Sequence, residues 1–409
     1  MKILHINSLS EGGAFNGAYR LHLALLNAGV QSKMLVKSLK GNSGLKETFQ
    51  CDVEEEKNLF FKKVFNRFGI PIYWKHKYLT LLRKYSPLER KGYFPFSGFD
   101  LTNSKFYKEA DIIHLHWICE YVDYDSFFKK CKKPIVFTTR DLWAIEGLVH
   151  YRDTLEDTSS NFLKLNQFLK KYKLKIYKSS NICFVGISNW IAKEVEKEVK
   201  SIGKSVKVIH NCLSNDLFFP IEKNKARTRM GINTDKIVIG FSSYIGNENR
   251  KGFDLLLDFC KNSKYKDNLF LVTCGLNDYN FSSLGVFHLH LGLLDEVNLN
   301  YFYNSLDVYL FLSKHEAFGN VILECLFSGT PVISTSVGAA PELIDNGFNG
   351  FLLNIKNLIE EIDSKLDLML EFSSNKTNIS GQALMKFSGA VAVEKYLNIY
   401  SSLLLVNNP

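Results

Sequence analysis

Closely spaced cysteines, long apolar runs and abundant proline are all missing from this chain, and each absence removes a class of protein. The eight cysteines (Cys51, Cys119, Cys131, Cys183, Cys212, Cys260, Cys274 and Cys325) never come closer than twelve residues, so no C-x-x-C pair offers a zinc or redox motif. Their scatter fits a reduced, intracellular compartment. No stretch reaches the ~18–20 apolar residues of a membrane span, and Met1-Lys2-Ile3-Leu4-His5-Ile6-Asn7 enters a strand pattern without the longer apolar run of a signal peptide. The expected location is therefore cytoplasmic, with peripheral contact at the inner face of a membrane left open. With 8 Pro and 26 Gly in 409 residues the chain is neither disordered nor fibrous, and it shows no short-period repeat or low-complexity tract.

What is present is core material: 46% hydrophobic and 23% charged residues, at a length that suits two domains better than one. Lys plus Arg exceed Asp plus Glu by 51 to 42, and the resulting +9 favours an anionic partner. No recognisable nucleic-acid-reading module accompanies it.

Lys2 to Asn7 reads as a buried strand, Ser8 to Gly13 as a turn, and Asn16 to Asn27 as a helix with Gly29 near its C-cap. Ser32 to Val36, Asp111 to His116, Pro134 to Thr139 and Asn181 to Val185 read as further strands ending in polar turns, as buried parallel strands do. A second series, Val206 to Ile209, Ile237 to Phe241, Leu269 to Cys274, Val308 to Leu312 and Pro331 to Ser334, alternates with helices such as Phe253 to Cys260 and Val321 to Phe327. The pattern predicts an α/β protein of two βα-rich halves: 1–204, 205–386, and a terminal segment 387–409, with a linker near Asn215 to Asn224.

Ten of the 51 basic residues fall in Lys57 to Lys91, interleaved with Phe60, Phe61, Phe65, Phe68, Tyr73, Trp74, Tyr78 and Tyr85. This insertion, about 57–93, suits an interfacial helix on an anionic membrane. It equally suits a helical excursion whose aromatics pack on the sheet, and the residues alone leave both open.

The chemistry concentrates in His315-Glu316-Ala317-Phe318-Gly319-Asn320, at the C-terminal end of the strand Val308 to Leu312, where open α/β sheets bind ligands. Gly319 allows close backbone approach, and a helix starting near Asn320 aims N–H groups at an anion. Glu324, about one turn on, is placed to accept bonds from hydroxyls. Two carboxylates beside an anion site make sense if one reads a sugar and the other a ribose. Asp123-Tyr124-Asp125 has the form of a metal-binding D-x-D and is read instead as a solvated turn.

Glu316 and Glu324 form E-x7-E, and with Val337 to Ile344, Asn346 to Leu352, Lys251-Gly252-Phe253 and Gly12-Gly13-Ala14 the sequence resembles retaining glycosyltransferase family 4. Asp111 to Trp117 and Asp141-Leu142-Trp143-Ala144 to His150-Tyr151 resemble a subgroup of bacterial capsule, O-antigen and exopolysaccharide assembly. The resemblance implies a GT-B fold: two Rossmann-like domains facing across a cleft, with a C-terminal helix crossing back to the first. It implies a UDP- or GDP-sugar donor, a glycan or lipid-linked glycan acceptor, and no cofactor or divalent metal.

By position it assigns Glu316, Lys251 and Arg140 to catalysis. It assigns Gly13, Arg250, Lys251, Leu293, Glu316, Phe318, Gly319, Asn320 and Glu324 to the nucleotide sugar, and His116, Asp141 and His150 to the acceptor. Arg140 stands where the family has His, and Gly147-Leu148-Val149-His150-Tyr151 lacks a family cysteine. Arg140, with the absence of the family's Arg near Gly240-Phe241-Ser242-Ser243, motivates a rival, a degenerate scaffolding subunit; a GT-B nucleotide-sugar epimerase is the second. His288 and His290 read as structural.

Overall fold

The computed structural model describes residues 1–39, 44–55, 92–156, 158–243, 249–275, 279, 281–371 and 376–407. The basic segment 57–91 lies outside them. The chain forms two compact units, Met1–His210 joined by Ala392–Pro409, and Asn211–Val391.

The first unit holds a seven-stranded sheet in the order β3-β2-β1-β4-β5-β6-β7. Its strands are β1 (Lys2–Asn7), β2 (Gln31–Val36), β3 (Thr48–Gln50), β4 (Ile112–Leu115), β5 (Ile135–Thr139), β6 (Ile182–Gly186) and β7 (Val206–Val208). Every pairing is parallel. Ile3, Leu4, Ile6, Ile112, Ile113, Ile135 and Val136 are all buried, the composition expected of strands covered on both faces. The helix Gly13–Asn27 buries Phe15, Ala18, Leu21 and Leu25 at helical spacing.

The second unit holds six parallel strands in the order β10-β9-β8-β11-β12-β13. They are β8 (Ile237–Ser243), β9 (Leu269–Gly275), β10 (Phe287–His290), β11 (Val308–Phe311), β12 (Val332–Thr335) and β13 (Gly350–Leu353). Ile239, Phe241, Leu271, Leu310 and Ile333 pack with Leu256 and Phe259 of the helix Phe253–Asn262 and with Ile362 and Leu366 of Leu358–Glu371.

Both sheets reverse strand order once, between β1 and β4 and between β8 and β11. Such a reversal opens a crevice at the carboxyl ends of the two strands, and the chemistry-bearing loops follow those ends.

Two expectations need correction. Val206 to Ile209 was placed in the second series, yet β7 extends the first sheet by pairing with β6, Phe184 opposite Val206. The first unit consequently runs to His210. Asp123 is not solvated: it is buried and accepts bonds from Ser97 N at 3.2 Å, Ser126 N at 2.9 Å and Ser126 Oγ at 2.8 Å. It braces a turn, and burial raises its pKa. Among the described residues, no helix is long and apolar enough to cross a membrane.

Candidate active site

In the second unit, the loops after β8 and β11 bring two predicted residues together. Lys251 Nζ donates to Glu316 Oε2 at 2.5 Å, and Arg250 Nη1 lies 3.8 Å from the same oxygen. Arg250 also donates to the carbonyl of His315 at 3.2 Å, and Lys314 N donates to the carbonyl of Arg250 at 2.8 Å, so the loops are tied through backbone as well. Gly252 makes the approach possible. At φ +75 it caps the helix Phe253–Asn262, and a Cβ there would lie 1.9 Å from the carbonyl oxygen of Leu312.

The Glu316 loop is held from its other side by Gly338, whose added Cβ would meet Glu316 O at 2.9 Å, and by Ala339 N donating to Phe318 O at 3.0 Å. Phe318 is buried, so it contributes backbone rather than a side chain. Gly319, at φ +96, caps the helix Asn320–Phe327 with no side-chain bond. That geometry suits glycine, and it sets the first turn's N–H groups at the mouth of the β8/β11 crevice. Asn320 Oδ1 accepts from Asn211 Nδ2 at 2.8 Å.

Glu324 is only 7% exposed, and Tyr303 Oη donates to its Oε2 at 2.8 Å. Burial, reinforced by the charge of Glu324, pushes the thiol of Cys274 up to about 12. Leu293 is 61% exposed and follows Gly292, whose carbonyl accepts from Gly275 N at 2.9 Å. Thr273 Oγ1 sits 2.8 Å from His288 Nε2 and 2.9 Å from His290 Nδ1, tying those two rings to β9.

In the first unit, Gly12 caps the helix Gly13–Asn27 at φ +88 with no side-chain bond, and Gly13 opens that helix. Asp141 has two jobs. One oxygen caps the turn Leu142–Ala144 through Trp143 N at 2.8 Å, and the other accepts from His150 Nδ1 at 2.7 Å. That bond leaves the lone pair of a neutral His150 on Nε2, which has no hydrogen-bond partner among the described residues. The ring stacks on Trp117 at 5.4 Å and lies 4.5 Å from Tyr93. An imidazole–carboxylate pair walled by aromatic rings is a setting that suits a saccharide hydroxyl.

His116 is buried beside Arg140 rather than presented to solvent. Arg140 Nε and Nη2 lie 3.3 and 3.2 Å from its Nδ1, and His5 Nδ1 lies 2.8 Å from its Nε2. His114, directly opposite His5 in the β1–β4 register, bonds Tyr400 Oη at 2.6 Å and Thr138 Oγ1 at 2.7 Å. Burial first, then neighbouring His and Arg charges, hold His5, His114 and His116 well below the usual histidine range. Ligand nitrogens of these three lie within 4.8 Å of one another. A cation there would displace the bonds already made by His114 and His116 and stand against the Arg140 guanidinium.

His5, and Lys173 described below, were not singled out in the sequence. The one signal for His5 was a polar residue inside an apolar strand run.

Residues 222–383 match the family described as glycosyl transferases group 1. An uncharacterized 41.2 kDa protein in the cps region of Klebsiella pneumoniae is 25% identical over 326 residues, covering 72% of this chain and 80% of that protein. The capsular polysaccharide biosynthesis glycosyltransferase CapM of Staphylococcus aureus is 31% identical over 107 residues, 25% of this chain and 28% of that one. Among solved structures, HepE of Anabaena in complex with UDP-glucose superposes with a TM-score of 0.63 at 16% identity, covering 98% of this chain and 100% of that chain.

Proposed function

Residues 222–383 of this chain belong to the glycosyl transferases group 1, and its fold is GT-B; from that premise we propose that it transfers a sugar, with retention at the anomeric carbon, from a nucleotide diphosphate donor to a saccharide acceptor in cell-surface polysaccharide assembly. The observation that carries this reading is the Lys251–Glu316 pair at the carboxyl ends of β8 and β11, with Glu324 buried deeper in the helix that Gly319 opens.

Breaking the bond from anomeric carbon to phosphate leaves charge on the diphosphate. Lys251, Arg250 and the N–H groups at Gly319 and Asn320 are fixed dipoles and cations suited to stabilise it. In this reading they do the work of a divalent ion, Glu316 contacts the donor sugar, and Glu324 takes ribose hydroxyls. The Asp141–His150 pair in the first unit takes a hydroxyl of the acceptor. The cps-region and capsule relatives support the surface-polysaccharide setting, and the UDP-glucose complex of HepE makes UDP-glucose the first donor to try.

The test is a thermal-shift panel of UDP- and GDP-sugars with EDTA present, followed by turnover assays, with Glu316→Ala as control. A donor that stabilises the protein and is consumed without metal supports the reading. No shift with any nucleotide or nucleotide sugar sinks it.

A further inference from the structure

The amino ends of β1 and β2 border an open cavity of about 520 Å³. It lies at the opposite end of the first sheet from the loops that lead to Gly13, Trp117 and Asp141. β1 is six residues long, so roughly 20 Å of strand separates the cavity from those loops.

The wall is apolar. Ile3 and Leu4 come from β1, Leu26 and Val30 from the end of the helix Gly13–Asn27 and the turn after it, and Phe106 and Ala110 from the short helix Lys105–Glu109 and its cap. Mostly apolar clefts of about 300–1,000 Å³ with a few polar groups are the usual form of small-molecule sites.

The rim is charged. Lys2, Lys33 and Lys46 border the cavity with Glu47 and Glu109. Lys33 Nζ lies 2.9 Å from Glu109 Oε2 and 5.4 Å from the Phe106 ring centre, so these two charges answer each other beside the apolar wall. Among the described residues no carboxylate lies within ion-pair distance of Lys2 or Lys46 Nζ, which leaves two cations to the one carboxylate of Glu47.

The Lys46 backbone is fixed in place. Tyr19 Oη accepts from its N–H at 2.9 Å, and its carbonyl accepts from Thr48 Oγ1 and His22 Nε2, each at 3.0 Å. The His22 bond puts the ring's proton on Nε2 and makes Nδ1 the acceptor for Ser32 Oγ, 2.7 Å away in the cavity wall. Glu47 follows at φ +44, a left-handed backbone uncommon outside glycine, and its carbonyl accepts from Met34 N at 2.9 Å. Strain held by surrounding bonds recurs at ligand clamps, and a rim ordered in advance loses less entropy when it binds.

We propose that this cavity binds a single-chain anionic amphiphile, with an alkyl or isoprenoid chain against Leu26, Val30 and Phe106 and a carboxylate or phosphate head held by Lys2 and Lys46. The site is independent of the transferase reading, which assigns none of these residues to donor or acceptor. Burial of the chain supplies affinity, and the two lysines supply the preference for negative charge.

The experiment uses the full chain, 13C-labelled at the methyl groups of Ile, Leu and Val. It is titrated with sodium octanoate, sodium decanoate, decyl phosphate and decyltrimethylammonium, each below its micelle concentration. Decanoate and decyl phosphate are expected to bind one per chain and to shift the methyl signals of Ile3, Leu26 and Val30; the tighter of the two identifies the head group. Octanoate is expected to bind about tenfold more weakly than decanoate, because two fewer methylenes are buried. Inorganic phosphate alone is expected to leave those signals in place.

Val30→Trp fills the cavity from its wall and is expected to abolish binding, with the remaining methyl signals reporting that the fold is kept. The double variant Lys2→Gln, Lys46→Gln changes two exposed side chains and tests the head group without touching the core. It is expected to weaken decanoate by about threefold to tenfold, the scale of two exposed charge contacts. No binding of either anion, shifts confined to other methyl groups, or equal affinity for octanoate and decanoate overturns the proposal. So does decyltrimethylammonium binding as tightly as decanoate, or a lysine variant that binds decanoate like the natural chain.

Discussion

Glu316 and Lys251 are each other's counter-ion, so a diphosphate that recruits Lys251 has to draw it from a carboxylate. Lys251→Ala should therefore weaken nucleotide diphosphate binding by about ten- to a hundredfold, the scale of one charged hydrogen bond, as read by calorimetry. Glu316→Gln should lower kcat by about a hundredfold or more while nucleotide binding persists, because the sugar contact is lost and the cation is freed. An equal loss in kcat and binding would place Glu316 at the phosphate instead. The histidines make a separate prediction about stability. His5, His114 and His116 are held well below their ordinary pKa by burial, and His22 is lowered to about 4. Below about pH 6.5 the unfolded chain takes protons that the folded chain refuses, so stability falls with acidity by about 1.4 kcal/mol per pH unit for each such residue. Urea midpoints from pH 7 to 5 measure this; a flat profile would show that the rings titrate freely in the folded protein.

The loops that carry these residues are shaped by a few glycines and one buried lysine. Gly252→Ala puts a Cβ at φ +75 and 1.9 Å from Leu312 O, and should destabilise by about 1–3 kcal/mol or more while displacing Lys251. Gly147 is a second such point, since its Cβ would meet Asn166 O at 2.0 Å in the turn that precedes His150. That turn is fastened from beneath by Lys173 of the helix Ser160–Ser179. Its Nζ donates to Trp143 O at 2.6 Å and Glu146 O at 2.7 Å and lies 3.3 Å from the Trp143 ring centre. Burial lowers its pKa to about 7. The unfolded chain thus binds this proton between about pH 7 and 10 while the folded chain does not, and stability relative to Lys173→Met should rise with pH across that window. Parallel denaturation curves for the two proteins at pH 7 and 9 would rule the shift out. The Lys-Gly and E-x7-E motifs were legible because their spacing falls directly after apolar strand runs. Lys173 was not legible, because one lysine among the six of a polar-looking helix carries no mark of which face it occupies.

At the scale of the molecule, the first unit is assembled from both ends of the chain. Tyr396 and Tyr400 bond Thr138 and His114, so ending the chain at Val391 strips partners from buried polar groups under β4 and β5. Such a truncation should lose soluble expression or unfold at markedly lower temperature, whereas Tyr400→Phe alone should cost only about 1 kcal/mol. A truncated protein as stable as the full chain would mean the last helix is an accessory. The basic segment 57–91 makes a surface proposal: sedimentation with vesicles should rise with anionic lipid and fall when Lys62, Lys63, Arg83 and Lys84 are neutralised. Binding indifferent to both would remove the membrane from the account.

The sequence determined the alternation of strands and helices, the two-part organisation and the placement of the Lys-Gly and E-x7-E motifs after strand ends, because periodicity and glycine placement are local properties of the chain. It also marked Asp141 and His150, without showing that one orients the other. Tertiary structure decided the rest. Only strand pairing assigns Val206–Val208 to the first sheet and sets His5 opposite His114. Only burial turns four scattered histidines into neutral rings and Asp123 into a brace, since a group's charge depends on the solvent it has lost and the neighbours it has gained, neither of which is written in its position along the chain.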